Sequence, residues 1–175
     1  MRAPLRLLGV GLLAGLLAAL LGGCGFHLRN QGEAMHFSRL HLEGTTTGSF
    51  PQGLQKALRR YPGLTLTDQA ASAEVRLQIL NERRERVILS LTTAGRVREV
   101  TLRERVQFQA LTPEGEILLA PAELISERVL SVNDPDTLAK DSEATVIYQQ
   151  LEADSIHLLL LRLAALQLPR STTQH

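Results

Sequence analysis

Residues 73–93 read AEVRLQILNERRERVILSLTT, the longest strand signal in the chain. Its odd positions, Val75, Leu77 and Ile79 and then Val87, Leu89 and Leu91, share one apolar face, because side chains of an extended chain repeat every two residues. Ala94-Gly95 is turn-like, and Arg96 to Leu111 resumes the alternation on even positions through Val100, Leu102, Val106, Phe108 and Ala110. The two runs predict a long antiparallel hairpin. Its middle carries charge on both faces, with Glu82-Arg83-Arg84-Glu85-Arg86 opposing Arg103-Glu104-Arg105. Two readings fit that charge. One is a solvated, twisted ribbon with cross-strand ion pairs, each worth about a few tenths of a kcal/mol. The other is a ribbon that projects beyond the core and touches something polar on both sides.

Working outward, Thr112-Pro113-Glu114-Gly115 is a second turn, and Glu116 to Val132 supplies another strand. Proline cannot donate to a ladder, so this strand is expected to be interrupted or bulged near Pro121. Asn133 to Asp136 punctuates the chain, and a long helix is expected from Asp141 or Ser142 to about Leu168, with Asp141 and Glu143 at its positive end. Ala144, Ile147, Leu151, Ile156, Leu158, Leu159 and Leu163 form its core stripe. From Ile156 to Leu166 it is apolar almost all round. Either the sheet and another helix bury that segment fully, or a partner or membrane surface covers the remainder. On the N-terminal side, Phe37 to Leu42 alternates as a strand, with Phe37, Arg39 and His41 on one side and Ser38, Leu40 and Leu42 on the other. Gly44 to Gly48 is a loop. Ser49 and Gln52 match a helix capping box, Leu54, Ala57, Leu58 and Tyr61 share a stripe, and Pro62-Gly63 ends the helix.

Ahead of this body, Leu7 to Leu21 run without a charge, preceded only by Arg2 and Arg6. The pattern is a signal peptide over residues 1–23, too short for a spanning helix, which needs about 20 apolar residues. Residues 24–36 read as a tether that begins at Cys24, the only cysteine; 37–168 as a single domain; and 169–175 as a polar tail. The whole chain has 19 basic and 18 acidic residues, so loss of Arg2 and Arg6 turns a net +1 into −1. A near-neutral body with four Phe, two Tyr and no Trp points away from nucleic acid.

Catalytic signatures do not assemble. There is no Gly-rich phosphate loop and no nucleophile elbow, and the spacing of His27, His36 and His41 fits no common zinc pattern. His157, on an apolar helix, reads as a packing or partner-contact residue. Most carboxylates alternate with arginines, which lower a carboxyl pKa rather than tune it for acid work. The chain is therefore expected to be neither an enzyme nor the holder of a metal or cofactor.

Leu21-Gly22-Gly23-Cys24 resembles the lipobox of bacterial lipoproteins. The resemblance implies S-diacylglycerol on the Cys24 thiol, cleavage before Cys24, and N-acylation of the new amino group. Several acyl chains anchor a protein stably, at about 0.8 kcal/mol per buried methylene. Gly25, with no acidic residue following the cysteine, is similar to lipoproteins sorted to the outer membrane.

Cys24-Gly25-Phe26-His27-Leu28-Arg29, the order strand, helix, hairpin, strand, helix, and Asn133-Asp134-Pro135 followed by Leu138-Ala139-Lys140-Asp141 resemble the lipopolysaccharide-assembly lipoprotein family LptE. What this implies is an α/β (α+β sandwich) fold: a four-stranded, mixed and mostly antiparallel sheet with two helices packed on it, in the order β-α-β-β-β-α. It further implies an outer-membrane lipoprotein that plugs the β-barrel LptD from the periplasmic side, helps it assemble, and binds lipopolysaccharide bound for the outer leaflet. Lys140 matches the family's helix-entry motif, and Arg96 and Arg98 lie just past the hairpin turn. All three are candidates to hold lipopolysaccharide anions through charge-assisted hydrogen bonds. Two rival readings remain. A carrier of phospholipid or another amphiphile would need an enclosed apolar cavity between helices and sheet, and a periplasmic hydrolase would need a cleft of converging titratable groups.

Overall fold

The computed structural model describes residues 34–44, 48–132 and 137–168. The leader, Cys24, most of the tether and the polar tail lie outside the described residues. Strand β1 (Arg39–Gly44) leads into helix α1 (Ser49–Arg59), a two-residue strand β2 (Thr65–Leu66) and the long strands β3 (Val75–Leu91), β4 (Val97–Leu111) and β5 (Ile117–Ser131). Helix α2 (Thr137–Ala164) closes the domain. The sheet order is β2-β1-β3-β4-β5, with β1 parallel to β2 and β3 and the other neighbours antiparallel. The α+β class stands, with five strands in place of four. Strand β2, at the edge, is too short to leave an alternation in the sequence.

Both turns of the β3-β4-β5 meander have the same construction. Thr92 N–H donates to Arg96 O (2.7 Å) and Gly95 N–H to Thr92 O (2.9 Å). Thr112 N–H donates to Glu116 O (2.8 Å) and Gly115 N–H to Thr112 O (3.0 Å). Gly95 (φ 76°) and Gly115 (φ 96°) take the left-handed conformation that a side chain resists.

The single apolar face expected along β3 is broken by a bulge. Ile79 pairs with Phe108 but Asn81 pairs with Gln107, leaving Leu80 as an extra residue. One inserted residue exchanges the faces of everything beyond it. Thus Glu82, Arg84 and Arg86 share the helix-covered side with Val106, Glu104 and Leu102. Val87, Leu89 and Leu91 leave the core and are 43–55% exposed. A bulge does occur at Pro121: Phe108 pairs with Ala122 and Ala110 with Leu119, and β5 is an edge strand, where proline is tolerated.

Other boundaries moved for local reasons. Strand β1 begins at Arg39 rather than Phe37, which is buried just ahead of it. The Ser49–Gln52 capping box does not form. Gly48 precedes the helix without a side-chain cap, and the Ser49 hydroxyl instead accepts from Arg84 Nη2 at 2.7 Å. Helix α2 begins at Thr137 and ends at Ala164, four residues earlier than expected at each end, so Asp141 and Glu143 fall beyond its first turn. Its buried stripe is narrow: Ala144, Leu151, Ser155, Leu159 and Leu163. Leu158 and Leu161 stay about 41–42% exposed, so the domain does not bury the apolar segment fully. Among the described residues no helix is long and apolar enough to cross a membrane.

The core falls into two parts. A proximal cluster of sixteen buried apolar residues, including Leu40, Phe50, Leu54, Leu58, Leu77, Phe108 and Leu159, joins α1 and the C-terminal half of α2 to the sheet. A distal cluster has only five: Val100, Leu102, Leu130, Ala144 and Leu151. At about 1.5–3 kcal/mol per fully buried large side chain, the proximal cluster carries most of the apolar stabilisation.

Candidate functional site

Between the two clusters lies a polar layer. Glu104 on β4 is fully buried, and its Oε1 accepts from Arg84 Nε on β3 at 3.2 Å. Arg84 also donates to Ser49 Oγ and to Glu152 Oε2 on α2, both at 2.7 Å, and its guanidinium stands 5.3 Å from the centre of the Tyr148 ring. The Tyr148 hydroxyl donates to Glu85 O at 2.8 Å. The buried hydroxyls of Ser126 and Ser155 meet at 2.9 Å. Burial pushes the Glu104 carboxyl above the usual carboxylate range, against the pull of Arg84, and pushes Glu82 up in the same way. The charge on the inner face of the ribbon is thus satisfied within the domain, not by an external partner.

The outer face of the sheet carries no helix, and here the cross-strand ion pairs of the ribbon do form. Glu85 meets Arg83 (2.6 Å), Arg105 (3.4 Å) and Arg103 (3.7 Å). Arg105 continues to Glu123 (2.8 Å) and Arg103 to Glu127 (2.9 Å). Toward β1, Arg76 Nε donates to Glu43 Oε1 at 2.7 Å and Gln78 to Glu43 Oε2 at 2.6 Å, while Gln109 bonds Gln78. That bond from Arg76 holds the Glu43 carboxyl below the usual range. Charges alternate in sign across the strands, so the face is strongly polar without a net field of one sign. Ile117, Ile125 and Val129 interrupt it as exposed apolar residues.

The three candidate cations fall at one end of the domain. Arg96 is exposed at the exit of the β3-β4 turn, its backbone N–H on Thr92 Oγ1 at 3.1 Å. Arg98 opens β4 and donates to Ser90 Oγ (3.2 Å) and Glu99 Oε2 (3.3 Å). Arg98 O accepts from Val132 N–H at 2.9 Å, which sets the end of β5 beside it, and α2 starts shortly after. Lys140, in the first turn of α2, donates to Glu143 Oε2 at 2.9 Å. The fold brings their elements to the same end, where Arg98 and Lys140 already have acidic neighbours.

Two clefts lie at the margins of the sheet. One, of about 470 Å³, is lined mainly by polar groups of His41, Gln55, Arg59, Thr65, Thr67 and Asp68. The other, of about 330 Å³, lies between β5 and α2 beside Ile125, Arg128, Asp154, exposed His157 and Leu158. Neither is the enclosed apolar chamber that an amphiphile carrier needs.

The polar layer was not singled out in the sequence, although a signal existed. Tyr148, Glu152 and Ser155 interrupt the apolar stripe of α2 at spacings of four and three, where a solvated helix would place its polar residues on the opposite face.

A family model described as LptE, lipopolysaccharide-assembly, matches residues 37–163. LPS-assembly lipoprotein LptE of Photorhabdus laumondii subsp. laumondii is 26% identical over 154 residues, which span 87% of this chain and 83% of that protein. Among solved structures, the uncharacterized lipoprotein B from Nitrosomonas europaea is similar with a TM-score of 0.70 and 28% identity, over 81% of this chain and 91% of that one. The rare lipoprotein B from Shewanella oneidensis has the same fold, with a TM-score of 0.65 at 22% identity over 73% and 95% of the two chains.

Proposed function

Because the chain belongs to the LptE family of non-enzymatic lipopolysaccharide-assembly lipoproteins, we propose that it is the plug and assembly factor of an LptD-type outer-membrane β-barrel and binds lipopolysaccharide on its way to the outer leaflet. In this reading Cys24 carries the S-diacylglycerol and N-acyl chains that hold the domain to the periplasmic face of the outer membrane. The observation that supports it best is the sheet itself. Three strands of 15 to 17 residues expose one whole face, and that face is tiled with paired charges rather than covered by a helix. The lumen of a large membrane barrel is polar, and an insert that fills it needs such a surface on a well-packed body.

Lys140, Arg96 and Arg98 would hold lipopolysaccharide phosphates at the turn end. Charge-assisted hydrogen bonds contribute about 1.5–3 kcal/mol each, less where water screens them. Reversing all three to glutamate is therefore expected to weaken lipopolysaccharide binding by tenfold or more, while the thermal unfolding midpoint moves little because these side chains pack against no core cluster. Unchanged binding to lipopolysaccharide in a direct titration would remove these residues from the site.

A further inference from the structure

One carboxyl in the polar layer has half of its hydrogen-bonding capacity unused. Glu104 Oε2 is buried and has no partner, although Oε1 is held by Arg84. Ser126 lies directly opposite Glu104 in the β4-β5 register, and its hydroxyl is paired with that of Ser155 on α2. Ser155 exerts a lesser pull on the carboxyl, but its hydrogen bond is with Ser126, and Oε2 stays bare. An ionised carboxylate only accepts, so an unmet buried oxygen is costly; a neutral carboxyl gains a donor.

We propose that Glu104 is a proton-operated latch between α2 and the β3-β4 ribbon. When it binds a proton from solvent, the new Oε2–H donates to the Ser126–Ser155 pair and clasps the helix. When that proton returns to solvent, the oxygen is left bare and the distal half of α2 is held less firmly.

The surroundings favour this behaviour. From β3, Arg84 faces the carboxyl, with Glu82 and Arg86 beside it on the same side of the ribbon. From β5 comes Ser126, with Arg128 next on that face, paired to Asp154 of α2 at 2.9 Å. Helix α1 contributes Ser49 through Arg84, and α2 contributes Tyr148, Glu152 and Ser155. Three carboxylates, Glu82, Glu104 and Glu152, thus lie around a single close guanidinium. The latch sits at the boundary between the large and small apolar clusters, where a segment held by five buried apolar residues can open without the rest.

The sign follows from linkage. Glu104 binds its proton more tightly folded than unfolded, so the stabilisation is complete below the ordinary carboxyl value of 4.5 and is lost as pH rises through the folded value. Glu43, Glu74 and Glu99 are shifted downward, so their contributions are lost only as pH falls below 4.5. Amide hydrogen exchange of the full-length mature protein in detergent, from pH 5 to 8 and corrected for intrinsic rates, reads the two halves of α2 separately. Protection over residues 140–151 is expected to fall with rising pH by up to about tenfold per unit for one proton. Glu104→Gln, which keeps the shape and a permanent donor, is expected to abolish that dependence and remain protected at pH 8. A Glu104→Gln variant with the wild-type slope, or one less protected at every pH, would overturn the proposal. Glu152→Gln gives an independent reading should that variant not fold. It removes a neighbouring negative charge, so the loss of protection must move to lower pH, and an unmoved profile contradicts the latch.

Discussion

Replacing Arg84 by methionine is expected to lower the stability of the domain by about 3 to 5 kcal/mol, toward the lower end because the arginine side chain is itself 34% exposed. The cost comes from what is left behind. Glu104 is fully buried, and without the guanidinium it sits near Glu82 and Glu152 with no cation bonded to it. Removing one partner of a buried pair costs far more than the pair contributes, since the survivor keeps its desolvation penalty. In a domain of this size the loss corresponds to a fall of roughly 6 to 15 °C in unfolding midpoint. Chemical denaturation of Arg84→Met alone and combined with Glu104→Leu checks the cause. The double variant is expected to recover most of the loss, because an apolar residue there would join the proximal and distal clusters. A single variant within about 0.5 kcal/mol of wild type would show that the layer is not electrostatically coupled.

The second large effect concerns residues outside the domain core. Cys24→Ser is expected to move the protein from the membrane fraction almost entirely to the soluble fraction, with the folded domain unchanged. Several acyl chains at about 0.8 kcal/mol per methylene make anchorage nearly permanent, whereas the body alone has no membrane-spanning helix among its described residues. Its exposed Leu158 and Leu161 are too few to replace the lipid. Fractionation, with the mass of the processed polypeptide, reads this directly. A Cys24→Ser protein still in the membrane fraction, or a wild-type Cys24 without lipid, contradicts the anchor.

What the sequence made legible, and what it hid, follows from the range of each signal. The turns at Ala94-Gly95 and Thr112-Pro113-Glu114-Gly115 are set by a few adjacent residues, and both stand where expected. The hairpin and the bulge at Pro121 were readable for the same reason. The bulge at Leu80 was not, because nothing in the local alternation marks an extra residue that only the pairing partner defines. Missing it placed Val87, Leu89 and Leu91 in a core they do not enter and concealed that Arg84 faces inward. Ser49 shows the same limit, since its pattern with Gln52 is local but the group that claims its hydroxyl lies 35 residues away. The turn-end cations were identifiable by position, whereas their acidic neighbours Glu99 and Glu143 became relevant only in three dimensions.

The plug reading depends on a large partner closing around the bare, charge-tiled face of the sheet. The decisive measurement is mild-detergent extraction of the tagged, full-length lipoprotein from its own envelope, followed by size-exclusion chromatography and identification of what travels with it. A stoichiometric complex with a single large β-barrel is the predicted result, and charge reversal at Arg103 and Arg105 on the outer face should weaken it. Recovery of the lipoprotein on its own, with the sheet face open to solvent and no barrel at any detergent concentration, would contradict the account.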